Sequence, residues 1–360
     1  MNTAFASRRR TLQARIAEKG LSAVLSTNAA TWYYLTGFTG EAGALVVSLA
    51  GCTLVTDGRF TEQAKQETSG VRVIKQRPSL MATVGRLLGG RVGRRIGFDS
   101  GQLTVAQFRA LRKAAGARTR WVKADGQVES LRQRKDHGEI AQMRKAANLA
   151  SEVLSGALKL LKPGVTEIDV GAEIEYQMRR GGASGPAFET IVAFGERSAY
   201  PHARPTAKRL RKNELVVLDL GAILGHYCSD ITRTVFVGRA PKRIRRWYRA
   251  VQEAQSAAIA AAKAGASCGD VDAAARGILA NYRLDRYFVH STGHGLGLEV
   301  HEDPRVARGQ KHTLVPGNVI TIEPGVYVPG VGGIRIEDDV VVHAERTEVL
   351  TRVPRDLIEI

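Results

Sequence analysis

Few of the features that mark specialised protein classes are present in this chain. Its 360 residues hold only 3 cysteines, Cys52, Cys228 and Cys268, scattered and without CxxC spacing. That excludes a disulfide framework and points to reduced thiols in a cytoplasm. No segment approaches the uninterrupted apolar length a helix needs to cross a bilayer, so no membrane partner is expected. The opening MNTAFASRRRTLQARIAEKG has three arginines but no apolar stretch after them, and reads as an amphipathic helix, not a signal peptide. The glycine-rich LTGFTGEAG (Leu35–Gly43) lacks GxGxxG spacing, and no helix follows it. A turn-forming loop is expected there, not a phosphate cradle.

Acidic side chains are also in deficit. There are 35 Asp and Glu against 53 Lys and Arg, a net charge of +18. The imbalance is steepest in residues 1–130, with 20 basic residues against 8 acids, and basic runs recur at AKRLRK (207–212) and PKRIRRWYR (241–249). Such charge could serve nucleic acid or an anionic surface. No helix–turn–helix, zinc-finger or RNA-binding signature accompanies it. A solvated basic surface is expected, and nucleic acid is not expected as the main partner.

What is present is an ordinary globular composition, 44% hydrophobic and 24% charged, in a chain long enough for two domains. Residues 1–130 alternate helix-like pieces (Arg8–Lys19, Arg59–Thr68, Leu80–Leu88, Val105–Ala115) with short strand-like ones (Ala23–Ser26, Leu45–Leu49, Thr53–Thr56, Val71–Ile74, Ile96–Phe98). This predicts a smaller α/β domain with a mixed sheet. Residues 131–360 predict an α+β domain. One long helix is expected over Arg132–Leu161, stopped by Pro163-Gly164, and a second over Thr166–Arg180 with Thr166 as N-cap. Two more are expected at Ile244–Ala264 and Val271–Tyr282, with acid-bearing antiparallel strands between and after the helix pairs.

Asp219 stands in VVLDLGA, Asp230 in HYCSDITRT, His294 in HSTGHGLGLEVHE, Glu323 in VITIEPGVY and Glu337 in GGIRIEDDV. Asp219, Glu323 and Glu337 follow apolar, strand-like runs where a lone carboxylate faces a large desolvation penalty. Four carboxylates are balanced by two divalent ions and left half-compensated by one. A pair of ions also leaves room for a bridging hydroxide, the usual nucleophile of a dinuclear hydrolase. Oxygen-rich ligands with one imidazole and no thiolate favour Mn, Mg, Co or Zn. An internal echo fits this reading. NELVVLDLG (Asn213–Gly221) lies on GNVITIEPG (Gly317–Gly325) without gaps, setting Asp219 on Glu323 and Gly221 on Gly325. Two facing hairpins of this kind would bring four acids to one pocket. Alternation puts Arg335, Glu337 and Asp339 on one strand face. Around the acids lie His202 in AYPHARP, His290 in FVHSTGHGLG and His301 in LEVHEDP, imidazoles suited to stabilising developing negative charge and moving protons.

Taken together, DLGA…GHYCSDITRT, HSTGHGLGLEVHE, EPGVY and GGIRIEDD resemble the metallopeptidase family of Xaa-Pro aminopeptidases, prolidases and methionine aminopeptidases. YYLTGFTGEAG and TDGRFTEQA resemble the N-terminal domain of its proline-specific branch and of creatinase. The resemblance implies a pita-bread α+β catalytic domain preceded by the smaller α/β domain, in a homodimer whose N-terminal domain borders the site. It implies that Asp219 chelates one metal, that His294 and Glu323 bind the other, and that Asp230 and Glu337 bridge them. Glu323 would also accept a proton from the attacking water. His301 and His202 would orient substrate and stabilise the oxyanion, His290 would line the pocket, and Arg335 would support the metal-bound carboxylates. Two divalent ions are expected, manganese first, with cobalt or zinc as alternatives. Creatinase lacks the ligands and methionine aminopeptidases generally lack the N-terminal domain, so neither activity is expected. The activity placed first is Xaa-Pro aminopeptidase, acting on peptides with proline in second position. Xaa-Pro dipeptidase is the alternative, and a catalytically demoted nucleic-acid-binding homologue comes third.

Overall fold

A computed structural model describes residues 3–89 and 94–360. It divides into two compact units, Met1–Arg132 and Gln133–Ile360. In the first, strands β1 (Ala23–Ser26), β2 (Ala44–Ser48), β3 (Gly51–Thr56), β4 (Arg72–Lys75), β5 (Arg95–Phe98) and β6 (Arg120–Lys123) form one sheet in the order β4-β3-β2-β1-β5-β6. It is mixed: β1–β2 and β2–β3 are antiparallel, while β1–β5, β3–β4 and β5–β6 are parallel. The unit's helices are α1 (Thr3–Glu18), α2 (Ala29–Thr36), α3 (Thr61–Glu67), α4 (Leu80–Leu88), α5 (Val105–Ala115) and the single turn α6 (Glu129–Arg132). Leu25, Val46, Val55 and Ile96 of the sheet pack with Met81, Val84, Leu88 and Leu111 of α4 and α5. The composition gave no sign of α2, whose TWYYL core favours strands. Its ends decide the matter: Asn28 accepts the Thr31 amide at the N-terminus, and Gly37, at φ 80°, closes the helix in a left-handed turn. LTGFTGEAG is a loop from Gly37 onward, as expected.

The second unit is built twice over. Helices α7 (His137–Leu158) and α8 (Glu167–Arg180) precede strands β7 (Gly185–Pro186), β8 (Ile191–Phe194), β9 (Glu214–Leu220), β10 (Ala222–Leu224), β11 (Tyr227–Cys228) and β12 (Ile231–Val237). Helices α9 (Lys242–Ala261) and α10 (Cys268–Asn281) precede β13 (Gly293–Gly295), β14 (Glu302–Val306), β15 (Val319–Ile322), β16 (Gly325–Val328), β17 (Gly332–Arg335), β18 (Asp338–Val342), β19 (Thr347–Val349) and β20 (Ile358–Glu359). In each half two long strands pair antiparallel, β9 with β12 and β15 with β18, and a short hairpin lies between them in sequence. Leu154, Val170, Ile174 and Met178 of the first helix pair bury against Val216, Leu218 and Val235. Val251, Ala258, Val271 and Leu279 of the second pair bury against Ile320, Ile322, Val340 and Val342. Among the described residues of this unit, the one parallel pairing is β20 with β12.

The helix expected over Arg132–Leu161 is broken. Residues 133–136 are not helical, and α7 begins at His137, capped by Asp136 in a reciprocal box with Glu139. Asp136 is a good cap and a poor helix interior residue, so the chain restarts there.

Candidate metal centre

The acids reach one place because strands alternate. On β9, Val216, Leu218 and Leu220 face the helices, which leaves Asp219 on the opposite side. Asp230 immediately precedes β12, Glu323 immediately follows β15, and Glu337 lies between β17 and β18. Asp219, Asp230 and Glu337 are 7%, 5% and 2% exposed. Ligand-capable atoms of Asp230, His294 and Glu337 all lie within 4.8 Å of one another. His294 Nε2 is 3.5 Å from Glu323 Oε1 and 3.8 Å from Asp230 Oδ2. Arg335 Nη2 donates to Asp219 Oδ2 at 2.5 Å. All five residues of the expected ligand set therefore stand in one buried neighbourhood. His294 sits on the short strand β13, where a regular element had not been expected. A side chain at Gly293 would strike the carbonyl oxygen of Thr321, so only glycine lets β13 lie this close to β15.

Burial, and then the neighbouring Glu337 and Asp219, push the Asp230 carboxyl well above its usual range. Burial followed by Glu323 and Asp219 does the same to Glu337. Glu323 rises to about 7, mainly by burial and against the pull of Arg335. His294 is lowered to about 4 by burial, so its imidazole is neutral near pH 7. Its Nδ1 lies 3.0 Å from the Gly295 carbonyl, which fixes the proton there and turns a lone pair on Nε2 toward the acids. Asp219 Oδ1 and Asp230 Oδ1 are buried without a hydrogen-bond partner. Acceptors facing acceptors, with unsatisfied oxygens beside them, are what a divalent cation would satisfy. The residues fit the group.

The side chains around this cluster make further contacts that are only partly visible in the sequence. Arg335 also donates to the Tyr327 hydroxyl (2.6 Å) and to Thr232 Oγ1 (3.1 Å). Burial alone would lower the guanidinium's affinity for its proton; Tyr327, Asp219, Glu337 and Glu323 outweigh it and hold Arg335 firmly charged. His290 Nδ1 is 2.8 Å from the Ser291 carbonyl, so its Nε2, 2.8 Å from the Tyr327 hydroxyl, accepts that proton. Burial and the Arg335 charge lower His290 to about 3. The His301 ring lies 4.3 Å from that of His294. His202 is exposed, and it is near enough to contribute to the lowering of both His290 and His301. Tyr327, Thr232 and Asp339 had no assigned role. Period two from Glu323 runs through Gly325 to Tyr327, a signal that was there to be read. Asp339 is buried, accepts the Asp230 amide at 3.1 Å, and keeps Oδ1 unpartnered.

An α+β unit with a buried carboxylate–imidazole cluster of this kind defines a metal-dependent hydrolase. Residues 141–344 match the model of Metallopeptidase family M24, and residues 8–134 match the Creatinase/Prolidase N-terminal domain. The chain belongs to metallopeptidase family M24; it is a metalloexopeptidase with the pita-bread fold behind a creatinase-type N-terminal domain, and the family implies divalent metal ions. Among relatives, the Xaa-Pro dipeptidase of Pyrococcus horikoshii is 38% identical over 95% of both chains. The structure of an Xaa-Pro dipeptidase from Bacillus anthracis superposes with a TM-score of 0.94 at 35% identity, covering 99% of this chain and 100% of that one. An X-Pro aminopeptidase from Thermotoga maritima superposes at 0.89, also 35% identical, covering 98% and 99%. Among the described residues no helix is long and apolar enough to cross a membrane.

Proposed function

We propose that the chain is an Xaa-Pro dipeptidase, splitting a residue from the proline that follows it. The relatives described as dipeptidases favour this alternative over the aminopeptidase reading placed first on sequence. The observation that carries the hydrolytic reading is the neutral His294, its Nε2 lone pair set 3.5 Å from Glu323 and 3.8 Å from Asp230. Asp219, Asp230, His294, Glu323 and Glu337 would hold the metal, and a pair of Mn2+ ions, or Co2+ or Zn2+, balances the four acids. When bound, the ions supply Lewis acidity toward the scissile carbonyl.

The chain's own groups do the rest. Glu323, beside His294, would take a proton from the attacking water and return it to the leaving proline nitrogen. His301 and His202 donate to the carbonyl oxygen as charge develops on it, and His290 lines the pocket. Arg335 holds Asp219 and Tyr327 in place from behind. A bond to proline has no amide N–H, and none of these roles asks for one. A cytoplasmic homodimer belongs to the same proposal, supported by three unbridged cysteines and by the family resemblance.

The test strips the protein with chelator, restores Mn2+, and compares Ala-Pro, Ala-Pro-Ala and Ala-Ala by product chromatography. The expected result is metal-dependent release of proline from Ala-Pro and little cleavage of the other two. Equal cleavage of the tripeptide would restore the aminopeptidase reading, and no cleavage at all would remove both.

A further inference from the structure

Behind the metal cluster lies a second buried charge that the reaction does not touch. Arg233 on β12 is 1% exposed, and Asp338 on β18 is 0% exposed. Their neighbours in sequence, Thr232, Glu337 and Asp339, have side chains in the cluster. Alternation therefore sends Arg233 and Asp338 to the other side of the same two strands.

All five donors of Arg233 are engaged. Nε donates to the Pro354 carbonyl (2.9 Å), and Nη1 to the carbonyls of Thr232 (2.9 Å) and Glu337 (2.6 Å). Nη2 donates to Asp338 Oδ1 and to the Val353 carbonyl, both at 2.7 Å. Asp338 is gripped in turn by the Thr351 hydroxyl at 2.5 Å and the Gln255 amide at 2.7 Å. Two of these bonds end on the backbone of Glu337 and of Thr232, whose hydroxyl donates to Glu337 Oε2 at 2.6 Å and accepts from Arg335. One planar fork thus fixes β12, the residue bearing a proposed ligand, and the C-terminal segment in one arrangement. The acids on the far side repel one another, and without a fixed frame they would spread.

We propose that Arg233 is a positioning residue that sets the divalent-metal affinity of the site by holding Glu337 and Thr232 from behind. This rests on the metal reading of the site given above. A purely structural Arg233 would affect unfolding and leave the affinity of folded protein unchanged.

Mn2+ is titrated calorimetrically into chelator-treated wild type, Arg233→Lys and Thr351→Val, with circular dichroism recording the fold. Lysine keeps the charge and loses the fork. Folded Arg233→Lys is expected to bind Mn2+ about 10–100-fold more weakly, the range for partners that orient metal ligands. Thr351→Val, which removes one bond to Asp338 and leaves Arg233 in place, is expected to bind several-fold more weakly. At saturating Mn2+ the KM for Ala-Pro stays at the wild-type value in both. Wild-type affinity in a folded Arg233→Lys overturns the inference. Should that variant fail to fold, wild-type affinity in Thr351→Val overturns it alone. Wild-type protein that takes up no Mn2+ would sink the proposed function as well, which separates the two failures.

Discussion

Tyr327 places its hydroxyl between a permanent cation and a neutral imidazole, accepting from Arg335 and donating to His290. Burial pushes that hydroxyl up to about 12, so it remains a donor at any working pH. Tyr327→Phe leaves one Arg335 N–H buried and unpaired, and denaturant unfolding should show a loss of about 1–3 kcal/mol. Peptide turnover should fall with it, because His290 loses the group that fixes its lone pair. Asp230→Asn and Glu337→Gln each remove one charge from the cluster. Both variants should keep the fold by circular dichroism and lose bound metal and activity together; stoichiometric metal with normal turnover would remove these residues from the site. Asp219 and Glu323 were legible because an acid closing an apolar strand two residues before a glycine is physically odd, and Glu337 because it too follows an apolar run; Asp230 and His294 were legible as parts of the motifs. Thr232, Tyr327 and Arg233 were not, since threonine, tyrosine and arginine are common in strands and their meaning depends on partners about a hundred residues away in sequence or on strand alternation. His202 was legible as a motif residue, and the structure leaves it exposed.

At the scale of elements, end residues governed what the sequence revealed. Thr166, read as an N-cap, makes a reciprocal box with Asp169. Asp136 makes the same box with Glu139, yet it stood inside a run of helix-favouring residues and was absorbed into one long helix. Asp136→Ala should reduce stability by about 1 kcal/mol in urea denaturation, as loss of an N-cap does, with Mn2+ affinity unchanged. The helix–sheet layers were readable from periodicity, whereas the pairing of β15 with β18 around an intervening hairpin was hinted at only by the echo between Asn213–Gly221 and Gly317–Gly325. Short strands such as β13, set by glycine contacts with another strand, leave no local pattern to read.

For the whole molecule, the buried charges predict how stability follows pH once metal is removed. His290 and His294 have folded values lowered to about 3 and about 4, so their contribution grows as pH rises and is complete above about 6.5. Glu323 is raised to about 7, and Asp230, Glu337 and Asp339 are raised well above normal. These acids favour the folded state while protonated and lose that advantage as pH climbs through their folded values. Metal-free protein should therefore melt at lower temperature at pH 8 than at pH 6.5, and the gap to Mn2+-loaded protein should widen over that interval. A gap that narrows would contradict the assigned burial of charge. Asp219 and Asp230 belong to the first half of the second unit, while His294, Glu323, Arg335 and Glu337 belong to the second half. A nascent chain that has been made only as far as the first half holds two of the acids and lacks the imidazole and the guanidinium, so the cluster can close only after the second half has been added.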